Sequence, residues 1–130
     1  MNEILTLKEA VGKVKSPADL FGKIKNIKID YTQENFIVFY LNTKNQLIES
    51  EVLFKGGLNG CLVDPKTLFR KALLHNSNAV IIAHNHPSGN LDPSQEDKEI
   101  YKKLKLIGEE LQLKVIDSII FNKSQYYSLN

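Results

Sequence analysis

Two continuously apolar runs, "FIVFYL" at 36–41 and "AVIIA" at 79–83, limit what this chain can become more than anything else in it. A strand with one wet face alternates apolar and polar residues; a run that is apolar at every position reads as a strand covered on both faces. Such strands need helices packed against the sheet, and the intervening sequence supplies them. "SPADLFGKI" places Ser16 as an N-cap and Pro17 at the first helical position, where its missing N–H costs nothing. "DPKTLFRKALLHNSN" repeats the device with Asp64 and Pro65; Leu68, Phe69, Ala72 and Leu73 give one apolar face, and Asn76 to Asn78 end the helix. A longer helix starts near Ser94, with Ile100, Leu104, Ile107 and Leu111 as its inward stripe.

The remaining strands complete the picture. "QLIESEVLF" is joined to the first apolar run by "TKN", a polar connection suited to a hairpin, while "KVIDSIIF" and "YYSL" close the chain. "KGGLNG" reads as a turn or loop, and Gly56-Gly57 as part of it. The order hairpin, helix, strand, helix, strands predicts an α/β fold: one mixed β-sheet flanked by helices. A length of 130 residues suits one domain, here 16–130, preceded by an amphipathic, partly helical lead-in over 1–15.

The chemistry concentrates directly after the second apolar run, in "AHNHPSGNLDPSQED", which carries two of the chain's three histidines. Side chains at i and i+2 of an extended segment point to the same side, their Cα atoms roughly 6.5 Å apart. His84 and His86 can therefore converge on one ion at the ~2.0–2.1 Å of a zinc–imidazole bond, with Asn85 pointing the other way. Pro87 and Gly89 turn the chain, and Asp97 arrives in the first turn of the next helix, where a carboxylate can be a third ligand. Three protein ligands with a fourth position open describe a catalytic zinc site, and the open position would hold a water whose pKa falls to about 7. Ser94-x-x-Asp97 is equally a capping-box pattern, Ser94 as N-cap and Asp97 at N3, and the two readings do not exclude each other.

"HNHPSGNLDPSQED" closely resembles the JAMM signature, His-x-His-Pro followed by Ser-x-x-Asp, in the form found in RadC-like members of the JAB/MPN domain family. "ENFIVFYLNTKNQLIESEVLFKGGLNG" is similar to that family's opening hairpin, "VDPKTLFRKALLHNSNAVIIAHNHPSG" to its helix and metal-bearing strand, and "DSIIF…YYSL" to its closing strands, so the likeness covers about residues 16–130. It implies the JAB/MPN (cytidine-deaminase-like) architecture and a zinc-dependent hydrolase of amide bonds, of the metallopeptidase or isopeptidase type. His84, His86 and Asp97 would ligate Zn2+, and Ser94 would hydrogen-bond the tetrahedral intermediate or its water. Glu34, in the place of the motif's upstream glutamate, would be the general base. On its own residues Glu34 is only an exposed acid ahead of a strand, and Glu49 and Glu51 on the second strand are weaker candidates for that role. Three departures stand out. Asp117-Ser118 replaces the Asp-His that family members often carry in the penultimate strand, a position that can support the metal from behind. "VDPKTLF" replaces a Pro-Arg-Glu version, and the family's DNA-associated helix-hairpin-helix region has no counterpart in this sequence.

Other features bound the partners. Sixteen of the 17 basic residues are lysines and the net charge is only +2, which gives nucleic-acid binding weak support because base and phosphate recognition leans on arginine. "KEIYKKLK" pairs Glu99 with Lys103 and reads as a solvated helix face. His75 suits the C-terminal cap of its helix. Cys61, a single cysteine, forms no internal disulfide and reads as a small buried hydrophobe in a reducing compartment. No apolar run approaches the roughly 20 residues of a membrane span, and the N-terminus lacks a secretory h-region, so a cytoplasmic location is expected. A zinc deaminase is excluded by the absence of Pro-Cys-x-x-Cys, and His-Glu-x-x-His is missing too. Two functions follow: a metallo-hydrolase acting on a peptide or isopeptide, or a non-catalytic RadC-like module in DNA repair or recombination.

Overall fold

Alternation along β1 (Asn35–Leu41) explains the architecture. Every residue of this strand is buried, and so is every residue of β3 (Ala79–Asn85). Ile37, Phe39 and Leu41 pack with Leu20, Phe21 and Ile24 of α1 (Pro17–Ile24) on one face of the sheet. Phe36, Val38 and Tyr40 meet Leu68 and Phe69 of α2 (Pro65–Leu74) and Tyr101 and Leu104 of α3 (Gln95–Glu110) on the other. A side-chain period of two thus feeds two cores from one strand. With β2 (Leu47–Lys55), β4 (Lys114–Phe121) and β5 (Tyr126–Ser128), the sheet runs β2-β1-β3-β4-β5. Only β3 and β4 pair in parallel, the crossover between them being α3; the other pairs are antiparallel. The mixed sheet flanked by helices matches the sequence expectation.

The structure, a computed structural model, describes residues 14–56 and 62–130. The expected lead-in, apart from Val14 and Lys15, lies outside the described residues, as do Gly57 and Cys61. Val14 is buried, and its N–H donates to the Asn45 carbonyl in the β1–β2 turn. Among the described residues no helix is long and apolar enough to cross a membrane.

The caps form as the sequence predicts. The Ser16 hydroxyl accepts from the Asp19 N–H, the Asp64 carboxylate accepts from Lys66, and Pro stands at the start of both helices. Asn76 takes the left-handed conformation, φ 54°, after the His75 C-cap, and the Ser77 N–H reaches back to the Ala72 carbonyl.

Leu68, Phe69, Ala72 and Leu104 are buried as expected, with Ile100 and Ile107 packed against the same core, but one expected position on each helix is not. Leu73 is 56% exposed and Leu111 46%, while α3 buries Asp97, Tyr101, Leu104 and Gly108. Hydrophobicity alone misreads this line because two of its members are a carboxylate and a glycine. Gly108 lies where the helix touches the start of β4: a Cβ there would come within 2.3 Å of the Leu113 carbonyl oxygen. Gly→Ala inside a helix ordinarily stabilises by up to about 1 kcal/mol. Gly108→Ala is expected to reverse that sign and cost about 2 kcal/mol, since backbone must move, as read by urea denaturation. A variant as stable as the parent would show that the contact yields freely.

Candidate metal centre

β3 delivers the histidines. Its register pairs Phe36 with His84, so His84 falls on the α3 face of the sheet, its ring stacked near Phe36 at 6.1 Å. His86 lies just beyond the strand, its ring centre 5.2 Å from that of His84. The turn after it is held by the Gly89 N–H donating to the His86 carbonyl, with Gly89 at φ +80°, a conformation glycine reaches without strain. Asp97 comes from the first turn of α3. Its Oδ1 stands 3.0 Å from His84 Nε2 and its Oδ2 2.9 Å from His86 Nε2, one carboxylate oxygen to each ring.

The helix cap and the site use the same atoms. The Ser94 hydroxyl accepts from the Asp97 N–H at 3.0 Å, and Asp97 Oδ2 accepts from the Ser94 N–H at 2.8 Å. This reciprocal box fixes the carboxylate at the angle that presents it to the imidazoles. Glu34 completes the group from just ahead of β1. One ligand atom each from Glu34, His84, His86 and Asp97 all lie within 4.8 Å of one another. Ser94 lines the same cavity, of about 380 Å³, with them. The structure therefore brings together all five residues singled out from the sequence.

Two observations show that these donors fit a metal ion. His84 is 2% exposed, and neither of its ring nitrogens makes a hydrogen bond with the protein. Its Nε2 stands 3.0 Å from Asp97 Oδ1 without the alignment of a hydrogen bond. In His86, Nδ1 lies 2.8 Å from the Asn90 carbonyl, which only accepts, so Nδ1 carries the proton. A neutral His86 then aims the lone pair of Nε2 at a carboxylate oxygen, and only a proton or a cation shared between them makes that favourable. Donors bound to one tetrahedral zinc stand about 3.3 Å apart, and one ligand atom from each of the four side chains here lies within 4.8 Å of the others.

The titration behaviour carries the same signature. The Asp97 carboxylate raises the His86 pKa above its ordinary 6.5; burial opposes this and the Asn90 carbonyl adds to it. Burial works to raise the Asp97 pKa, but the two imidazoles and the Ser94 N–H outweigh it and hold the carboxyl well below the ordinary carboxylate range. A lowered carboxylate contributes stability that is complete above its ordinary 3.8 and is lost as pH falls through the folded value. A raised imidazole contributes stability that is complete below 6.5 and is lost as pH rises through the folded value. Metal-free protein is thus expected to melt at lower temperature as pH rises from about 6 to 8. Metal competes with that proton, so the increase in melting temperature on adding zinc should grow over the same range. Thermal scans with and without chelator check both signs, and an increment that shrinks with pH would contradict the arrangement.

Sequence reading missed what holds Glu34 in place. Asn85, which points away from the histidines as expected, is fully buried and grips the segment ahead of β1. Its Oδ1 accepts from the Asn35 N–H at 2.8 Å and from Asn35 Nδ2 at 3.2 Å, and its Nδ2 donates to the Gln33 carbonyl at 3.0 Å. The residues on either side of Glu34 are therefore tied to the strand that carries the histidines. Asn85→Ala leaves a buried N–H without an acceptor and is expected to cost about 1–3 kcal/mol. Urea denaturation measures it; an unchanged midpoint would mean that the amide is not a tie.

The other candidates lie elsewhere. Tyr40 donates to Glu51 at 2.7 Å, and His75 caps α2 with its ring 4.5 Å from that of Tyr40. Asp117 pairs with Ile81, three positions along β3 from His84, and accepts from the Ser128 hydroxyl and the Asn130 N–H. It fastens residues 128 and 130 to the sheet, and neither it nor Ser118 lines the metal cavity.

Comparison with known proteins agrees with the fold. The family model described as RadC-like JAB domain matches residues 14–130. A UPF0758 protein of Staphylococcus haemolyticus is 43% identical over 117 residues, 90% of this chain and 51% of the relative. One from Flavobacterium johnsoniae is 40% identical over 126 residues, 97% of this chain and 53% of the relative. One from Methanosarcina acetivorans is 39% identical over 123 residues, 95% of this chain and 54% of the relative. The chain spans about half the length of the curated relatives it matches.

Proposed function

Since the chain belongs to the RadC-like JAB domain family, we propose that it is a zinc-dependent hydrolase of an amide bond in a peptide or isopeptide. His84, His86 and Asp97 would hold the ion, Glu34 would be the general base and Ser94 a hydrogen-bonding partner of the reacting group. The observation that carries the reading is the convergence of two imidazoles, one of them without any hydrogen bond, and two carboxylates on one point of an open cavity. Bound zinc would supply Lewis acidity and a water acidified to a pKa of about 7.

The chain's own residues then divide the work. Asn90 fixes the His86 tautomer so that Nε2 faces the cation, and the capping box does the same for the Asp97 carboxylate. Glu34, half-buried and on the same cavity wall, is within reach to take a proton from water and hand it to the leaving amine. The Ser94 hydroxyl, whose oxygen caps the helix, still has its own proton to donate to a developing oxyanion. The test is metal analysis of the purified protein, followed by a peptide and isopeptide library assay with and without chelator. Chelator-sensitive cleavage is the expected result; stoichiometric zinc without cleavage of any library member would remove the catalytic reading.

A further inference from the structure

A second cavity, of about 410 Å³, opens on the far side of the histidine loop and shares His86 and Ser88 with the metal cavity. Its outer wall is the β4–β5 turn. Asn122 organises that turn by accepting from the Ser124 and Gln125 N–H groups, and it clamps the turn to the histidine loop by donating to the Gly89 carbonyl at 3.0 Å. The next residue, Lys123, extends its ammonium over the Tyr31 ring, 5.4 Å from the centroid. Tyr31 is itself fixed edge-on against buried Phe121, ring centres 6.1 Å apart. A substrate chain lying across His86 would therefore occupy two unlike chambers. The metal cavity presents the carboxylates of Glu34, Asp92 and Glu96 besides Asp97. Among the described residues lining the two chambers, Lys123 is the one ammonium.

We propose that the second cavity is a subsite for the substrate group flanking the scissile bond, and that Lys123 selects a carboxylate there. The inference rests on the metallo-hydrolase reading and adds the charge of the substrate to it. Three features support it: a wall shared with a metal ligand, a backbone clamp that sets the distance of the turn from the loop, and an aromatic ring that holds the lysine over the chamber. The carboxylate can come from an acidic side chain or from a chain end, and the two are separable.

Hydroxamates bind a catalytic metal whether or not turnover occurs, so they serve as probes. Acetyl-Asp-hydroxamate is compared with acetyl-Asn-hydroxamate for the side-chain source, and succinyl monohydroxamate with its terminal amide for the chain-end source. Binding to the zinc-loaded protein is measured by calorimetry. One acid is expected to bind about fivefold more tightly than its amide, the scale of a partly exposed ion pair. Lys123→Met should abolish that preference, and Lys123→Glu should reverse it, both with zinc content unchanged. If no probe binds in a zinc-dependent way, the metallo-hydrolase reading itself fails. If the probes bind but acid and amide are equal, or the preference survives Lys123→Met, the subsite is overturned alone.

Discussion

Asp97→Ala is expected to lower zinc affinity by about a thousandfold or more, leaving a folded protein without stoichiometric metal. Removing a group that merely orients a metal ligand costs 10- to 100-fold, and Asp97 is placed to be a ligand itself. Each of its oxygens faces one imidazole, at 3.0 and 2.9 Å, so truncation strips charge from both histidines at once. It also removes one half of the helix cap, a loss of about 1 kcal/mol or less because the Ser94 hydroxyl still accepts from the backbone. Asp97→Asn separates the two effects. Its amide oxygen can still accept from the Ser94 N–H, so the cap's share of stability should recover while metal affinity does not. Zinc-to-protein ratio after dialysis, calorimetric affinity and circular dichroism measure all three quantities. An alanine variant that retained one zinc per chain would remove Asp97 from the ligand set.

Glu34→Gln should do the opposite: keep the metal and lower turnover by about 10²- to 10⁴-fold, the usual worth of a positioned acid–base group. Glutamine has the same shape, and the Asn35–Asn85 tie that sets the position of this segment runs through neighbouring groups that the substitution leaves alone. The measurement pairs zinc content with the rate on a peptide or isopeptide that the parent cleaves. Retained turnover would end the base assignment. Loss of zinc together with turnover would recast Glu34 as a fourth ligand, since its carboxylate lies within the same 4.8 Å cluster.

The local half of this site was legible in the sequence because its chemistry is local. His84 and His86 end one strand and Asp97 begins the next helix, so strand periodicity and helix-start signals sufficed to bring them together. The capping box forms, and it leaves the ligand reading of Asp97 open to the same atom, since Asp97 Oδ2 serves the cap and faces His86 at the same time. Glu34 is different. Nothing in its own surroundings marks it, and only the family likeness selected it, because its meeting with the histidines depends on how β1 registers against β3. Asn35 and Asn85 were silent for the same reason: two buried amides become a tie only when a non-local pairing puts them face to face. On α3 apolar spacing found Leu104 and its neighbours Ile100 and Ile107 but misplaced Leu111, and it missed Asp97 facing the histidines and Gly108 against β4, because a carboxylate and a glycine leave no apolar signal.

β1 is paired along both edges and buried on both faces, and Glu34 directly precedes its first residue. Sliding such a strand by one position would turn every core side chain to the wrong face, so the carboxylate cannot approach by strand movement after a ligand arrives. Free and occupied protein should therefore superpose at this point, and capture should proceed in one kinetic step, its observed rate climbing linearly with ligand concentration instead of levelling off.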